Sequence, residues 1–226
     1  MTQETAVRAD GEATPPTGGR TLKPGRAVAA LLTAGAALTG FTVLAGGADA
    51  ARPMATAVLR TAQGDRIGKV EFFDRGRATT VEVKLHIANG TATRAFHGFH
   101  VHANDVTGNG EGCIADPLAA ASTAFLSADG HLKDEGENHA DHLGDMPSIL
   151  VNANGNATTT FTTDRISPDL LVGKAVILHA GRDNFGNVPV GPGVDQYTAN
   201  GPQAVAKTLA TGNAGDRFAC GVLTGG

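Results

Sequence analysis

The sequence predicts an antiparallel all-β domain, a sandwich or barrel of eight short strands interrupted by two long loops. Three observations predict it. Apolar and polar residues alternate in short segments, the 226 residues include 31 glycines, and no stretch sustains a helical period. In chain order, residues 55–61 and 67–73 flank Gln63-Gly64-Asp65 and read as a hairpin. Residues 80–87 place Val81, Val83, Leu85 and Ile87 on one face and Glu82, Lys84 and His86 on the other. Residues 99–102 continue the sheet. Residues 148–152 and 158–163 flank Asn154-Gly155-Asn156, a second hairpin signal. Residues 174–179 and 217–223 supply the last strands. Two connections break the rhythm, 103–147 and 181–215, and loops that long in a small domain are commonly functional. In the first, Phe125 and Leu126 are expected to pack the loop down.

Residues 1–50 read as targeting rather than fold. A polar lead carries Arg8, Arg20, Lys23 and Arg26, residues 27–48 are uncharged, and Ala48-Asp49-Ala50 is a small-x-small cleavage signature. The segment is either a secretory signal cut after Ala50 or, with 27–48 left uncut, a membrane anchor. Residues 51–226 then form one exported domain with one core. Its net charge stays at −4, from 14 basic and 18 acidic residues. With no basic cluster, no Trp and one Tyr, the chain has neither the field nor the stacking surface for nucleic acid. Cys113 and Cys220 are an even pair in an exported chain and are expected to form a disulfide. In the loop-entropy account such a bridge contributes ~4–5 kcal/mol.

The histidines carry the chemistry. In His97-Gly98-Phe99-His100-Val101-His102, His100 and His102 fall on one face of a strand, with Phe99 and Val101 facing the core. Imidazole binds zinc, copper, iron and nickel, so the pair looks like half of a metal site; a solvated polar edge is the plain alternative. His131 follows in a turn-like setting, then His139-x-x-His142-x-x-Asp145 in a loop, then His179 at the end of a buried strand. Of eight histidines, only His86 and His97 fall outside these places. Three imidazoles and a carboxylate suit tetrahedral zinc, and an all-imidazole set suits copper. Spacing alone does not divide the ligands between two metals.

Five segments in order make the pattern specific: Gly98-Phe99-His100-Val101-His102, Gly130-His131, His142-Leu143-Gly144-Asp145, His179-Ala180-Gly181-Arg182-Asp183, and residues 212–222 from Gly212 through Arg217 and Cys220 to Val222. Together, over about 55–224, they resemble the copper/zinc superoxide dismutases, most of all the secreted bacterial members. The resemblance implies an eight-stranded Greek-key barrel. It assigns His100, His102, His131 and His179 to copper, and His131, His139, His142 and Asp145 to a structural zinc, with His131 bridging. It makes Asp183 the carboxylate linking a copper histidine to a zinc histidine, Arg217 the residue that positions the anion, and Cys113–Cys220 the family disulfide. It further implies dismutation of superoxide to dioxygen and hydrogen peroxide by copper cycling Cu(II)/Cu(I), with His131 and Arg217 as catalytic residues and His131 passing a proton. Monomer and homodimer are both compatible with it. The zinc loop departs from the best-known relatives, because His131 and Asp145 are only 14 positions apart, and a solvated loop histidine is the alternative for His139. For Arg217 the alternative is a surface ion pair with Asp216.

Three other functions compete. Exported copper-binding or copper-delivery relatives of the same fold tend to lose copper ligands or the arginine, whereas His100, His102, His131, His179 and Arg217 are all present here. A zinc hydrolase built on His139-x-x-His142 lacks a glutamate between the histidines to serve as base. A structural sandwich needs neither full ligand set.

Overall fold

Alternation dictates most of the sheet. In the computed structural model, which describes residues 52–88, 92–186 and 202–226, β1 (Ala55–Thr61) buries Ala55, Ala57 and Leu59 completely and turns Val58 and Arg60 outward. β2 (Arg66–Asp74) and β3 (Thr79–His86) follow, and β3 buries Val81, Val83 and Leu85 as the pattern requires. β4 (Ala95–His97), β5 (Phe99–His102), β6 (Ile149–Val151), β7 (Asn156–Thr163), β8 (Ala175–His179) and β9 (Arg217–Gly225) complete the set. Seven strands form one curled antiparallel sheet in the order β5-β8-β9-β1-β2-β3-β7, and β4 pairs with β6 in a second. The architecture is the all-β one expected. Residues 1–50, with the cleavage site and the candidate anchor 27–48, lie outside the described residues, as does 187–201 of the second long loop. No helix among the described residues is long and apolar enough to cross a membrane.

Three differences from expectation have local causes. The strand expected at 99–102 forms as β5, and a strand not expected, β4, precedes it across Gly98 and makes a ninth. A Cβ at Gly98 would lie 2.6 Å from the Ala214 side chain, so only glycine lets the chain cross there between sheets. The turn at Asn154-Gly155-Asn156 forms, with the Asn152 amide donating to the Asn156 carbonyl at 2.9 Å, but its arms do not make a hairpin ladder. β6 pairs with β4 and β7 with β3. Within 181–215, Pro202–Thr211 is a helix, α1. Proline at its first position and an alanine-containing run favour it, and Gly212 at φ 59° ends it.

Two apolar clusters hold the fold. The larger joins β1–β3 to Phe99, Val101, Met146, Ile149, Val176, Leu178 and Leu223. The smaller lies under the first long loop and gathers Ala124, Phe125, Ala128, Ala175, Ile177 and Cys220. The Cys113–Cys220 disulfide, spanning 107 residues, pins the loop to β9 beside it. Phe125 is buried as expected and contributes about 1.5–3 kcal/mol. Leu126 is not: it is 55% exposed. Phe125 takes a left-handed conformation at the start of the 3-10 turn Leu126–Ala128, and the reversal turns the next side chain out.

Candidate metal centre

β5 is the edge of the large sheet, and the first long loop completes that edge. His102 bridges to His131 and His100 to Asp145 in isolated antiparallel pairs. The Val101 carbonyl accepts from the Leu132 amide at 2.8 Å, and the Val101 amide donates to Gly144 at 2.9 Å. The loop's ligands are thereby hung beside the strand's. On the other side, β8 and β9 contain a bulge. Leu178 pairs with Ala219, but His179 pairs with Arg217, so Phe218 is skipped. A bulge re-aims side chains, and here it sets His179 and Arg217 opposite one another.

The imidazoles of His100, His102, His131 and His179 converge, all buried, with their candidate ligand atoms within 4.8 Å of one another. His102 Nε2 and His179 Nε2 are 3.4 Å apart. By proximity alone a second group is His100, His131, His139 and Asp145. Hydrogen bonding makes His142 the better candidate than His100 for the fourth place there. The Nε2 of His100 is taken by Asp183 at 2.7 Å, whereas His142 Nδ1 lies 3.2 Å from His131 Nδ1 and 3.5 Å from Asp145 Oδ1. His131 Nδ1 to Asp145 Oδ1 is 2.8 Å, and His139 Nδ1 to Asp145 Oδ2 is 3.0 Å. A tetrahedron with ligand lengths of about 2.0–2.1 Å has edges of roughly 3.3 Å, which these separations approach.

The donors fit metals by a second test. His100 Nδ1, His131 Nε2 and His139 Nδ1 are buried and make no hydrogen bond, and orphaned buried nitrogens of that kind call for an explanation. Cations held beside the two ring nitrogens of His131 would give all three a partner. The nitrogens pointing away from the two centres are mostly tied. His102 Nδ1 donates to the Asp129 carbonyl at 2.8 Å and His179 Nδ1 to the Gly215 carbonyl at 3.2 Å. Asp183 faces His100 with one oxygen and His139 Nε2 with the other, at 2.8 Å but out of hydrogen-bond alignment. These contacts fix tautomer and ring orientation. His131 alone has a ligand set at each nitrogen, the arrangement a bridging imidazole needs.

Burial governs the protonation of His102, His131 and His179. It pushes His102 well below the usual imidazole value, aided by the positive potential of His131, His179 and Arg217. It takes His179 to about 3 and, against the pull of Asp145, His131 to about 4. Neutral imidazoles are the metal-binding form. At His139 burial is outweighed by Asp145 and Asp183, which raise it to about 9. Both carboxylates resist burial's upward push and are held below the usual range by the histidines they face.

Gly212 keeps that link compact. A Cβ there would fall 1.8 Å from Asp183 Oδ1 and 2.6 Å from His139 Nε2. The end of α1 therefore packs on the Asp183–His139 pair as only glycine can. Arg217 is half-buried, and its two terminal nitrogens donate to the carbonyls of Phe125 and Asp129. No ion pair with Asp216 is found among the described residues. Burial lowers its pKa, opposed by Asp129, and an arginine so placed stays charged.

The structure thus gathers the residues of both candidate ligand sets with Asp183 and Arg217, and it forms the Cys113–Cys220 disulfide. Two more were missed. His97 is buried, with Nδ1 2.9 Å from the His179 carbonyl and Nε2 3.0 Å from the Ala92 carbonyl, so it braces the backbone of a candidate ligand. Its place in β4, next to the kink at Gly98, was the available signal. Asp129 meets both His102 and Arg217 through one carbonyl, and a main-chain contact leaves no mark in side-chain patterns.

Comparison with known proteins gives these observations a family. Residues 66–223 match the family model described as copper/zinc superoxide dismutase. A relative named superoxide dismutase [Cu-Zn] in Mycolicibacterium paratuberculosis is 39% identical over 186 residues, 79% of this chain and 78% of the relative. One of the same name in Escherichia coli K12 is 34% identical over 192 residues, 80% of this chain and 93% of the relative. A crystal structure of the clock protein EA4 superposes with a TM-score of 0.53 at 26% identity, covering 76% of this chain and 94% of that one.

Proposed function

Because the chain belongs to the copper/zinc superoxide dismutase family, we propose that it converts two superoxide anions and two protons to dioxygen and hydrogen peroxide at a centre built on His131. The observation that carries this is the convergence of six buried residues, His100, His102, His139, His142, Asp145 and His179, around the two nitrogens of the His131 imidazole. His100, His102, His131 and His179 hold copper; His131, His139, His142 and Asp145 hold zinc. Bound copper supplies one-electron redox chemistry, alternately accepting and returning an electron, while zinc has none and serves as structure.

The chain's own residues do the rest. Arg217 presents a fixed positive charge where the anion arrives and orients it. Asp145 and His142 engage His131 at its Nδ1, so Nε2 is the nitrogen that would take a proton and pass it to the departing peroxide. Asp183 and the carbonyls of Asp129 and Gly215 hold the surrounding rings still while this happens.

Residues 51–226 work as an exported domain after loss of residues 1–50, in a cell-envelope, periplasm-like or extracellular space. The disulfide supports an oxidising compartment. N-terminal sequencing separates this from an uncut anchor at 27–48, and the mass of the exported protein separates monomer from homodimer. The copper-delivery reading is disfavoured because the four copper imidazoles are each 4% exposed or less, where a donor needs an accessible ion. The exported protein loaded with copper and zinc and dialysed should speed superoxide decay far beyond its metal-free form, unaffected by added chelator. Bound copper without decay would favour the delivery reading.

A further inference from the structure

Asp129 adopts φ 62° and ψ −160°, a backbone region essentially reserved for glycine, so a side-chain-bearing residue stays there only if its surroundings over-determine it. They do. One carboxylate oxygen accepts from the amides of Asp105 at 2.7 Å and Val106 at 2.9 Å, and the other accepts from Asn109 Nδ2. Residues 103–106 run directly on from β5, and their start is fixed by Ala103 donating to Gly130 at 2.9 Å and Asn104 to Ala128 at 3.1 Å. The carboxylate therefore ties Asp129 to the end of the strand that carries His102. Its carbonyl, aimed by the unusual backbone, accepts from His102 Nδ1 and from Arg217 Nη2. The other carbonyl on Arg217 belongs to Phe125, which is left-handed and sits at the opposite end of the same 3-10 turn.

We propose that the Asp129 carboxylate is the positioning group of the copper side: by clamping its own strained backbone to residues 105–109, it fixes the distance between the anion-binding guanidinium and the His102 ring. Any slack in the clamp lets the carbonyl rotate, moving Arg217 and His102 together. The proposal rests on the reading of the site given above.

The test uses the exported protein loaded with copper and zinc, with azide as a small anionic probe. Asp129→Asn keeps the volume but turns an amide nitrogen toward backbone donors. Asp129→Gly relieves the backbone and removes the clamp. Both variants should retain one copper and one zinc, show an altered cupric electron paramagnetic resonance spectrum, and bind azide ~3–10-fold more weakly, the worth of one misplaced hydrogen bond. A purely structural role would lower the melting temperature and leave the spectrum and azide affinity of the folded protein unchanged, and that result overturns the proposal. If these variants fail to accumulate, Asn109→Ala removes one donor at the periphery. It should shift both readouts the same way by a smaller amount, and no shift overturns the proposal equally. Failure of the parent protein to hold copper or bind azide would instead refute the functional reading.

Discussion

The two halves of the centre are built by different means. On the copper side His100, His102 and His179 sit on strands β5 and β8, and the rings of His102 and His179 are tied to backbone carbonyls. On the zinc side His139, His142 and Asp145 sit on a loop, and the ties are carboxylates. A strand residue is placed by the register of a whole ladder, here including His100 against Ile177 and His102 against Ala175. A loop residue is placed by its few contacts. On the proposed assignment, the copper side is expected to be preformed by the fold and the zinc side to draw more of its order from its ion, as metal-coupled folding predicts.

Removing one metal at a time is the strongest way to break this comparison. Loss of zinc should lower the melting temperature by ~10 °C or more, the effect expected when a ligand present at a thousandfold over its dissociation constant is withdrawn from a domain this size. Loss of copper should cost markedly less. Hydrogen exchange should rise across 133–144 in the zinc-free protein while β5 and β8 stay protected. Equal losses would mean that both halves are preformed.

A subtler break is Gly212→Ala. The methyl group collides with Asp183 and His139, a carboxylate link between the halves. Zinc affinity should fall about 10–100-fold, the usual cost of disturbing a group behind a ligand, with copper stoichiometry kept. Competition with a chromophoric chelator reads both. Arg217→Glu acts on the copper side alone. It should slow superoxide decay roughly tenfold or more at low ionic strength, with the difference shrinking as salt rises and both metals retained. Unchanged decay would remove Arg217 from anion capture.

Sequence made the strand-borne half plain and the loop-borne half less so. Alternation placed His100 and His102 on one face because that is what a strand does. No comparable rule connects His139 to a partner. Its role depends on Asp183, 44 positions further on, and on Gly212, which belong to two other segments. The resemblance supplied Asp183, and the packing shows why Gly212 must be glycine. Helix α1 was hidden in a segment whose prolines and glycines read as loop. The separation of β6 from β7 was hidden because a turn signal reports a reversal and not which strands then pair. Asp129 was invisible for a different reason: it meets His102 and Arg217 through its main-chain carbonyl.

The smallest effect is a pH dependence in the metal-free protein that differs between the halves. His179 at about 3 and His131 at about 4 titrate below the roughly 6.5 of an unfolded histidine. Between these values the unfolded chain binds more protons, so the copper side loses stability as pH falls below about 6.5, by ~1.4 kcal/mol per pH unit for each proton. His139, raised to about 9, has the opposite sign. The folded protein holds the extra proton there, so its contribution is complete below about 6.5 and is lost as pH rises toward 9. The urea midpoint of the metal-free protein should therefore peak near pH 6.5 and fall on both sides. His139→Gln should flatten the alkaline limb alone, because it leaves the copper-side rings in place. An alkaline limb that survives this substitution would show that the zinc-side carboxylates do not hold their proton through His139, and that the two halves are more alike than their scaffolds suggest.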